Sequence, residues 1–269
     1  MFVTTIDIWE NLPYKALNDF RPTLTTYLIE SKSPRGAVLI CPGGGYFFTS
    51  PREAEPIALQ FNAAGFHAFV LNYSVAPHKH PQPLWDVSRA MCIIRNNALL
   101  WNIESENIAV CGFSAGGHLA ASLGVHWNHP SLDNVEGITP GENKPNKLIL
   151  SYPVITSGKH AHRGSFENLL GASPTMAMLN FMSLENHISP LTPPTFIWHT
   201  FEDGAVPVEN TLLFVNGLQR HHIPYELHIF PQGGHGVSLA IEETSDEPKQ
   251  CIPHVAHWMP LCIEWLQLK

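Results

Sequence analysis

The stretch Cys111-Gly112-Phe113-Ser114-Ala115-Gly116-Gly117-His118 decides how the rest of the chain is interpreted. An apolar run from Asn107 to Cys111 leads into it and is typical of a short buried strand. Small and apolar residues follow, and we expect a helix from Gly116 to Leu123 that stops at Gly124. A serine between two glycines at such a turn matches G-x-S-x-G, the nucleophile elbow, in which a strained backbone exposes the hydroxyl. Because this motif alone is weak, the flanking strand and helix carry the hypothesis.

The composition of the chain limits its partners. It has 269 residues, 44% of them hydrophobic and 14% charged, with a formal net charge of −8. This negative charge argues against nucleic acid or an anionic membrane as partner. No apolar run reaches membrane-spanning length, and Met1 to Asp7 lacks the basic start and apolar core of a secretory signal. Five cysteines without a C-x-x-C pair indicate reduced thiols, so we expect a cytoplasmic protein.

Strand patterns and helix patterns alternate along the chain, after two short strands expected at a sheet edge within residues 1–30. The other predicted strands are residues 37–41, 66–72, 107–111, 147–152, 195–199 and 225–230. The predicted helices, besides the one after Ser114, are residues 50–65, 85–100, 208–220 and 253–268. This alternation predicts an α/β fold with a mostly parallel central sheet and helices on both faces. With no internal repeat or linker, residues 1–269 are expected to form one domain.

Several local signals refine these helices. The sequence Ser50-Pro51-Arg52-Glu53 matches a capping box with proline at the first helical position. Pro260 predicts a kink in the last helix. Residues 127–146 are polar and indicate a surface loop, whereas residues 157–194 form the longest excursion. Its Met- and Leu-rich piece, residues 174–184, is interpreted as a helix packed on the core, with a partial cover over the site as the alternative.

Two loops after the elbow carry the partners that a serine nucleophile needs. A serine hydroxyl requires a histidine base, which a carboxylate in turn orients. Asp203 follows the predicted strand 195–199, and His235 lies between glycines after the next strand. In open parallel sheets such groups come from the carboxyl ends of strands. Glu202 is the rival carboxylate, and we expect it to face solvent.

Gly43-Gly44-Gly45 follows an early central strand. Consecutive glycines let backbone N–H groups turn toward a developing oxyanion without obstruction by side chains. A plain glycine-rich turn is the alternative. A phosphate cradle is disfavoured because neither G-x-G-x-x-G nor a following Lys-Ser/Thr is present.

Taken together, these motifs resemble the α/β-hydrolases of the esterase/lipase type, particularly the small bacterial carbohydrate and acetyl xylan esterase-like group. The matching motifs are Pro42 to Tyr46, Val75-Ala76-Pro77 with Pro81, Gly112 to His118, Ser151 to Val154, and the loops of Asp203 and His235. The order Ser, Asp, His is that of the α/β-hydrolases.

The resemblance implies roles for individual residues. Ser114 would be the nucleophile, Asp203 the orienting acid and His235 the base. The oxyanion hole would consist of the backbone N–H groups of Gly44, Gly45 and Ala115. Many relatives carry a histidine before the glycines that braces the loop, and this chain has Pro42 there.

The function predicted is that of a serine carboxylesterase acting on short-chain acyl esters, in particular acetyl esters of sugars or small alcohols. Tyr46, Phe47, Phe48 and Trp85 are candidates to wall its substrate pocket. An amide-cleaving enzyme, such as an arylformamidase or a small peptidase, is the first alternative, and a non-catalytic binding protein is the second. The expected partner is a small-molecule ester, and a homo-oligomer stays open.

Sixteen histidines raise the question of a metal site. His78-x-His80 and His160-x-His162 have ligand spacing, but neither pair has an adjacent cysteine or acidic residue. Surface or loop histidines are therefore favoured, and no metal and no cofactor are predicted. His118, one turn into the elbow helix, is expected to pack or cap rather than to catalyse.

Overall fold

The computed structural model describes residues 1–268, in which eight strands form one sheet of order β1-β2-β4-β3-β5-β6-β7-β8. The strands are β1 Phe2–Asp7, β2 Thr23–Leu28, β3 Arg35–Cys41, β4 His67–Asn72, β5 Ile103–Phe113, β6 Lys147–Ser151, β7 Thr195–Thr200 and β8 Tyr225–Phe230. Strands β4, β3, β5, β6, β7 and β8 pair in parallel, and β2 pairs antiparallel with both β1 and β4. The mostly parallel sheet and the two edge strands before residue 30 are thus confirmed.

Eight α-helices accompany the sheet within these residues. They are α1 Glu55–Ala63, α2 Gln82–Asn96, α3 Ala115–His126, α4 Arg163–Leu170, α5 Met176–Phe181, α6 Glu209–Arg220, α7 Pro253–Ala256 and α8 Trp258–Gln267. None of the described helices has the length and apolar character needed to cross a bilayer.

The helices cover both faces of the sheet, as two separate hydrophobic clusters demonstrate. Successive residues of a strand point to opposite faces, and Leu39 of β3 belongs to one cluster while Val38 and Ile40 belong to the other. The first cluster contains buried residues of α2, α3 and α6, and the second contains those of α1 and α8. Central strands such as β3 and β6 are covered on both faces, so their sequences are continuous apolar runs rather than alternating ones, whereas β1 at the edge of the sheet is largely exposed.

The predicted end of helix α3 at Gly124 is wrong, because the helix continues to His126. The glycine serves the packing of the helix instead. A methyl group at Gly124 would lie 2.5 Å from Cδ1 of Leu148 on β6 and would have to displace this buried side chain. The α3 backbone therefore sits directly over the strand that neighbours β5.

The prediction of a capping box at residues 50–53 is also wrong. Residues Pro51–Glu53 form one turn of 3-10 helix, and α1 begins separately at Glu55. Ser50 makes no side-chain capping bond, and the side chain of Glu53 is buried, with contacts to distant residues.

The break in the last helix lies at His257, between α7 and α8, and not at the predicted Pro260. Pro260 occupies the first turn of α8, where a missing N–H costs no intrahelical hydrogen bond. A proline so near a helix start does not need to kink it.

The excursion of residues 157–194 contains α4, α5 and a 3-10 turn, Leu184–Asn186. Helix α5, the Met- and Leu-rich piece, has no fully buried residue, although Met178, Leu179 and Phe181 pack partly against the core. Interpreting it as a core helix is therefore only partly right.

Three histidines hold the end of α5 through three consecutive backbone carbonyls. The Nε2 atoms of His187, His126 and His118 lie 2.9, 3.1 and 3.0 Å from the carbonyl oxygens of residues 180, 181 and 182. These rings, together with the burial of Met182, hold the end of the helix in position.

Candidate active site

Ser114 stands at the tight turn between β5 and α3, with φ 53° and ψ −117°. This conformation is strained for a residue with a side chain. The two glycines that flank the turn have no space for a side chain. A methyl group at Gly112 would overlap the carbonyl of Gly116, and a methyl group at Gly116 would overlap the carbonyls of Cys41 and Pro42. The turn is therefore packed as a nucleophile elbow requires, and Ser114 lies at the carboxyl end of the central strand β5.

His235, in the loop after β8, reaches this hydroxyl. Its Nε2 atom lies 2.7 Å from Oγ of Ser114, and its Nδ1 atom lies 2.6 Å from Oδ2 of Asp203, which follows β7. Asp203 is 5% exposed, whereas the His235 side chain is 23% exposed. The structure thus brings the three residues into one continuous chain of hydrogen bonds at the carboxyl ends of β5, β7 and β8.

Asp203 is held from several sides. Its Oδ1 atom accepts the backbone N–H groups of Ala205 and Val206, at 3.0 and 2.9 Å. Burial by itself raises the pKa of Asp203, but hydrogen bonds from His199 and His235 and from the N–H of Val206 outweigh it, and its pKa lies below the usual value. The carboxylate is therefore charged, as a group that stabilises an imidazolium should be.

His199 is a residue of this site that sequence reasoning missed. It is fully buried, its Nε2 atom lies 2.9 Å from the carbonyl oxygen of Val206 and 3.3 Å from Oδ2 of Asp203, and its Nδ1 atom contacts the hydroxyl of Thr211. The only available signal was its place at the end of a strand, four residues before the aspartate.

Glu202 is exposed, as expected, and accepts the N–H of Gly233 at 3.2 Å. The Glu202 side chain therefore bonds to a backbone N–H of the His235 loop and not to the imidazole.

The glycine loop, Gly43 to Gly45, lies beside Ser114. A methyl group at Gly43 would sit 3.1 Å from Cβ of Ser114, and Gly44 and Gly45 have φ values of +127° and +63°. Outside helices and strands, no backbone acceptor within residues 1–268 takes the N–H of Gly44 or Gly45. Ala115 is the first residue of α3, where an N–H has no intrahelical partner. The structure thus leaves three predicted donors uncommitted around Ser114.

The peptide that precedes this loop is clamped at both ends. The Tyr73 hydroxyl donates to the carbonyl of Pro42 at 2.6 Å, and the N–H of Gly43 donates to Oε2 of Glu53 at 2.8 Å. Oε1 of Glu53 accepts the Tyr152 hydroxyl at 2.6 Å, and Tyr152 in turn accepts the N–H of Ser238. Burial raises the pKa of Glu53, and the hydrogen bonds from Tyr152 and Gly43 lower it in part.

The four aromatic candidates for a substrate wall have different positions. Phe47 and Phe48 are exposed beside the glycine loop, at 68% and 54%. Tyr46 is buried, and its hydroxyl lies 2.9 Å from Nδ1 of His118, so it supports the loop from beneath. Trp85 lines cavities on α2 with residues such as Trp9, away from Ser114. For Tyr46 and Trp85, therefore, the structure does not support a wall of the pocket around Ser114.

His118 packs, as expected, between Tyr46 and the carbonyl of Met182, and burial lowers its pKa to about 4. The two histidine pairs are engaged separately. His78 is buried and contacts the Tyr14 hydroxyl, while His160 faces Glu209. Within residues 1–268, no group of three or more His, Cys, Asp or Glu side chains is placed to hold a metal ion.

Helix α4 borders the site as well. The side chain of Asn168 donates to the carbonyl of Gly45 at 2.9 Å, and Oγ of Ser165 would lie 3.9 Å from a methyl group at Gly45. Of the long excursion it is this polar helix, and not the Met-rich α5, that lies against the glycine loop.

Comparison with known proteins agrees with this architecture. A family model described as BD-FAE matches residues 25–218, which include Ser114 and Asp203. The crystal structure of an acetyl ester-xyloside bifunctional hydrolase from Caldicellulosiruptor lactoaceticus is 40% identical, with a TM-score of 0.90, and the match covers 98% of this chain and 95% of that one. The α/β-hydrolase fold and the resemblance to acetyl xylan esterase-like proteins are therefore confirmed.

Two curated relatives extend the comparison. An endo-1,4-beta-xylanase B of Butyrivibrio fibrisolvens is 41% identical over 248 residues, which is 88% of this chain and 38% of the relative. An acetylxylan esterase of Xylanibacter ruminicola is 31% identical over 225 residues, which is 81% of this chain and 44% of the relative. The chain spans less than half the length of each of these two relatives.

Proposed function

This chain belongs to the BD-FAE family, and on that basis we propose that it is a serine carboxylesterase which removes acetyl and other short acyl groups from acetylated sugars. The observation that carries the proposal is the hydrogen-bond chain from Ser114 through His235 to Asp203, with distances of 2.7 and 2.6 Å. Nucleophile, base and orienting acid in contact are the arrangement that acyl transfer needs.

The proposed reaction runs in two steps. His235 takes the proton of the Ser114 hydroxyl as Oγ attacks the ester carbonyl, and Asp203 stabilises the imidazolium that results. The bond from the carbonyl carbon to the alcohol oxygen then breaks, and His235 gives its proton to the departing alcohol. Water, activated by the same histidine, releases the acid from the acyl-enzyme and restores the serine.

The negative charge of each tetrahedral intermediate falls on the former carbonyl oxygen. In the proposal, this oxygen accepts hydrogen bonds from the N–H groups of Gly44, Gly45 and Ala115. Their lack of other backbone partners supports the role, because preorganised donors lose no hydrogen bond at the moment of reaction.

A sugar as the alcohol part is supported by two kinds of observation. Relatives named acetylxylan esterase and acetyl ester-xyloside hydrolase match most of this chain. Phe47, Phe48 and Phe201 are exposed on the loops that carry Gly45 and Asp203, and exposed apolar side chains grouped at one place are typical of ligand-binding sites. Rings of this kind offer flat surfaces to the faces of a sugar.

The test compares three substrate classes on the purified protein: acetylated xylo-oligosaccharides, aryl acetates and formyl-kynurenine. We expect acetate release from the acetylated sugars with the highest kcat/KM. Faster cleavage of formyl-kynurenine would replace the esterase by the arylformamidase alternative. Cleavage of none of the three would contradict the proposed function, provided that the protein is folded by circular dichroism.

A further inference from the structure

The buried carboxylate of Glu53 is not explained by the chemistry proposed above. Glu53 is 3% exposed and, among residues 1–268, has no cationic partner in a salt bridge. Burying a carboxylate costs free energy unless hydrogen bonds satisfy it. The hydrogen bonds that this carboxylate accepts beside Ser114 therefore indicate a functional role for Glu53.

Those hydrogen bonds end on both sides of the site. Oε2 accepts the N–H of Gly43, where an added methyl group would lie 3.1 Å from Cβ of Ser114, and Oε1 accepts the hydroxyl of Tyr152. The Tyr152 ring meets the ring of His235 edge-on, with 5.2 Å between centroids. One side chain thus connects the glycine loop with the residue that packs against the base.

The geometry of the glycine loop gives this connection a purpose. With the carbonyl of Pro42 bonded to Tyr73 and the N–H of Gly43 bonded to Glu53, the plane of the peptide between them cannot rotate. The carbonyl of Gly43 is fixed too, by the N–H of Ser50 at 2.9 Å. The next two N–H groups, those of Gly44 and Gly45, are then the first that are free to point elsewhere.

The carboxylate is suited to this task because both of its oxygens accept. An amide of the same shape could accept at only one position and would present N–H donors to a donor at the other. A buried donor left without an acceptor would turn the peptide away from its place.

Resting on the proposed esterase function, we propose that Glu53 is a positioning residue: its carboxylate locks the Pro42–Gly43 peptide so that the following N–H groups meet the oxyanion, and it steadies His235 through Tyr152. Glu53 thus braces from a distance the glycine loop that follows Pro42. It touches no substrate atom itself.

The experiment uses Glu53→Gln, with Glu55→Gln as matched control, since Glu55 is an exposed carboxylate two residues away. We expect Glu53→Gln to lower kcat on nitrophenyl acetate by about 10²-fold, the size of losing an oxyanion donor, while KM changes by less than about threefold. Glu55→Gln should match the wild type in both constants. If Glu53 had a merely structural role, its substitution would lower the melting temperature without lowering kcat selectively over KM.

A double-mutant cycle makes the test independent of folding losses. Tyr152→Phe removes the hydroxyl that Glu53 accepts, so the double variant should lose no more kcat than Glu53→Gln alone. Additive losses would overturn the connection through Tyr152.

Labelling by a fluorophosphonate separates this inference from the esterase proposal. If the wild type is not labelled at Ser114, the proposed function fails. If the wild type and Glu53→Gln are labelled at equal rates, only the positioning role of Glu53 fails. We expect Glu53→Gln to be labelled at least about tenfold more slowly, because phosphonylation also places charge on an oxygen in the oxyanion hole.

Discussion

Oγ of Ser114 lies 2.7 Å from Nε2 of His235, although 121 residues of chain separate them. The other ring nitrogen of the same histidine lies 2.6 Å from Asp203, so that the imidazole is held at both ends. With Nδ1–H donated to the aspartate, Nε2 is left as the acceptor that the serine proton needs. Each member of this chain therefore has a distinct expected effect when it is replaced.

Ser114→Ala should lower ester hydrolysis by about 10⁴- to 10⁶-fold and abolish labelling by a fluorophosphonate, because the nucleophile is lost. The matched control is Ser122→Ala in α3, the helix that follows Ser114, since the buried Ser122 hydroxyl has no hydrogen-bond partner among residues 1–268. Labelled protein is counted by mass spectrometry and hydrolysis by release of nitrophenol. Retention of more than about a hundredth of the activity would rule out the serine mechanism.

Asp203→Asn should retain the fold but lose about 10³- to 10⁴-fold in kcat, because the amide favours the wrong tautomer of His235. Glu202→Gln is the control and should change kcat little, because Glu202 is exposed and bonds only to a backbone N–H. Both variants are compared on nitrophenyl acetate, with circular dichroism to check the fold. If Glu202→Gln proved the more damaging of the two, the orienting role would belong to Glu202.

Nitrophenyl esters with acyl chains from acetate to dodecanoate should give the highest kcat/KM at about two to four carbons, because each methylene gains about 0.8 kcal/mol only while the pocket can bury it. The helix that borders the glycine loop presents Asn168 and Ser165, which offer no apolar surface to a long chain. An optimum at eight carbons or more would indicate a lipase and contradict the short-acyl specificity.

The stability of the protein should fall between neutral pH and about pH 4. Burial lowers the pKa of His118 to about 4, and burial together with nearby His187 lowers that of His126 to about 3, whereas an unfolded histidine titrates near 6.5. Below pH 6.5 each of these histidines is protonated in the unfolded chain but stays neutral in the folded chain until the pH reaches its folded pKa. Over this range each histidine lowers the free energy of unfolding by about 1.4 kcal/mol per pH unit.

Urea unfolding of the wild type and His126→Gln at a series of pH values measures this effect. Glutamine can still donate to the carbonyl of Phe181 but takes up no proton, so the variant should show a shallower decline in stability. His221→Gln, at an exposed position, should follow the wild type. Equal slopes for the wild type and His126→Gln would contradict the assignment.

Two glycine substitutions should have opposite effects on the melting temperature. Alanine favours a helix over glycine by up to about 1 kcal/mol. Gly164→Ala in α4 should gain from this, since a methyl group there meets nothing closer than 3.7 Å. Gly124→Ala should destabilise the protein, because its methyl group would lie 2.5 Å from Leu148. A stabilised Gly124→Ala would mean that α3 can move off the sheet at little cost.

What the sequence could predict is determined by how local each signal is. The elbow at Ser114 and the strand that precedes His235 are specified by adjacent residues, and β8 has the predicted bounds, Tyr225–Phe230. The fold follows from the alternation of such segments. The meeting of Ser114, Asp203 and His235 follows in turn, because parallel strands place their carboxyl ends at one edge.

The failures concern residues whose role depends on distant partners. Ser50 to Glu53 has the pattern of a capping box, but Glu53 finds better partners in Gly43 and Tyr152, the latter 99 residues away. Gly124 has the local signal of a helix end, and only its distance to Leu148 reveals the packing role. Tyr46 adjoins the predicted oxyanion loop in sequence, yet the direction of its side chain is set by His118. No neighbouring residue announces such a contact.

The single turn Pro51–Glu53 also links segments that are far apart in the sequence. Nη1 of Arg52 donates to the carbonyls of Gly236 and Thr244, and the Ser238 hydroxyl donates to the carbonyl of Arg52, so this turn is bonded to a segment at least 184 residues further along the chain. Contacts over such long sequence separations form slowly, because the loop between them must close first. During refolding, ester hydrolysis should therefore recover after the sheet has formed. The rate at which hydrolysis recovers would then report the rate of the final folding step.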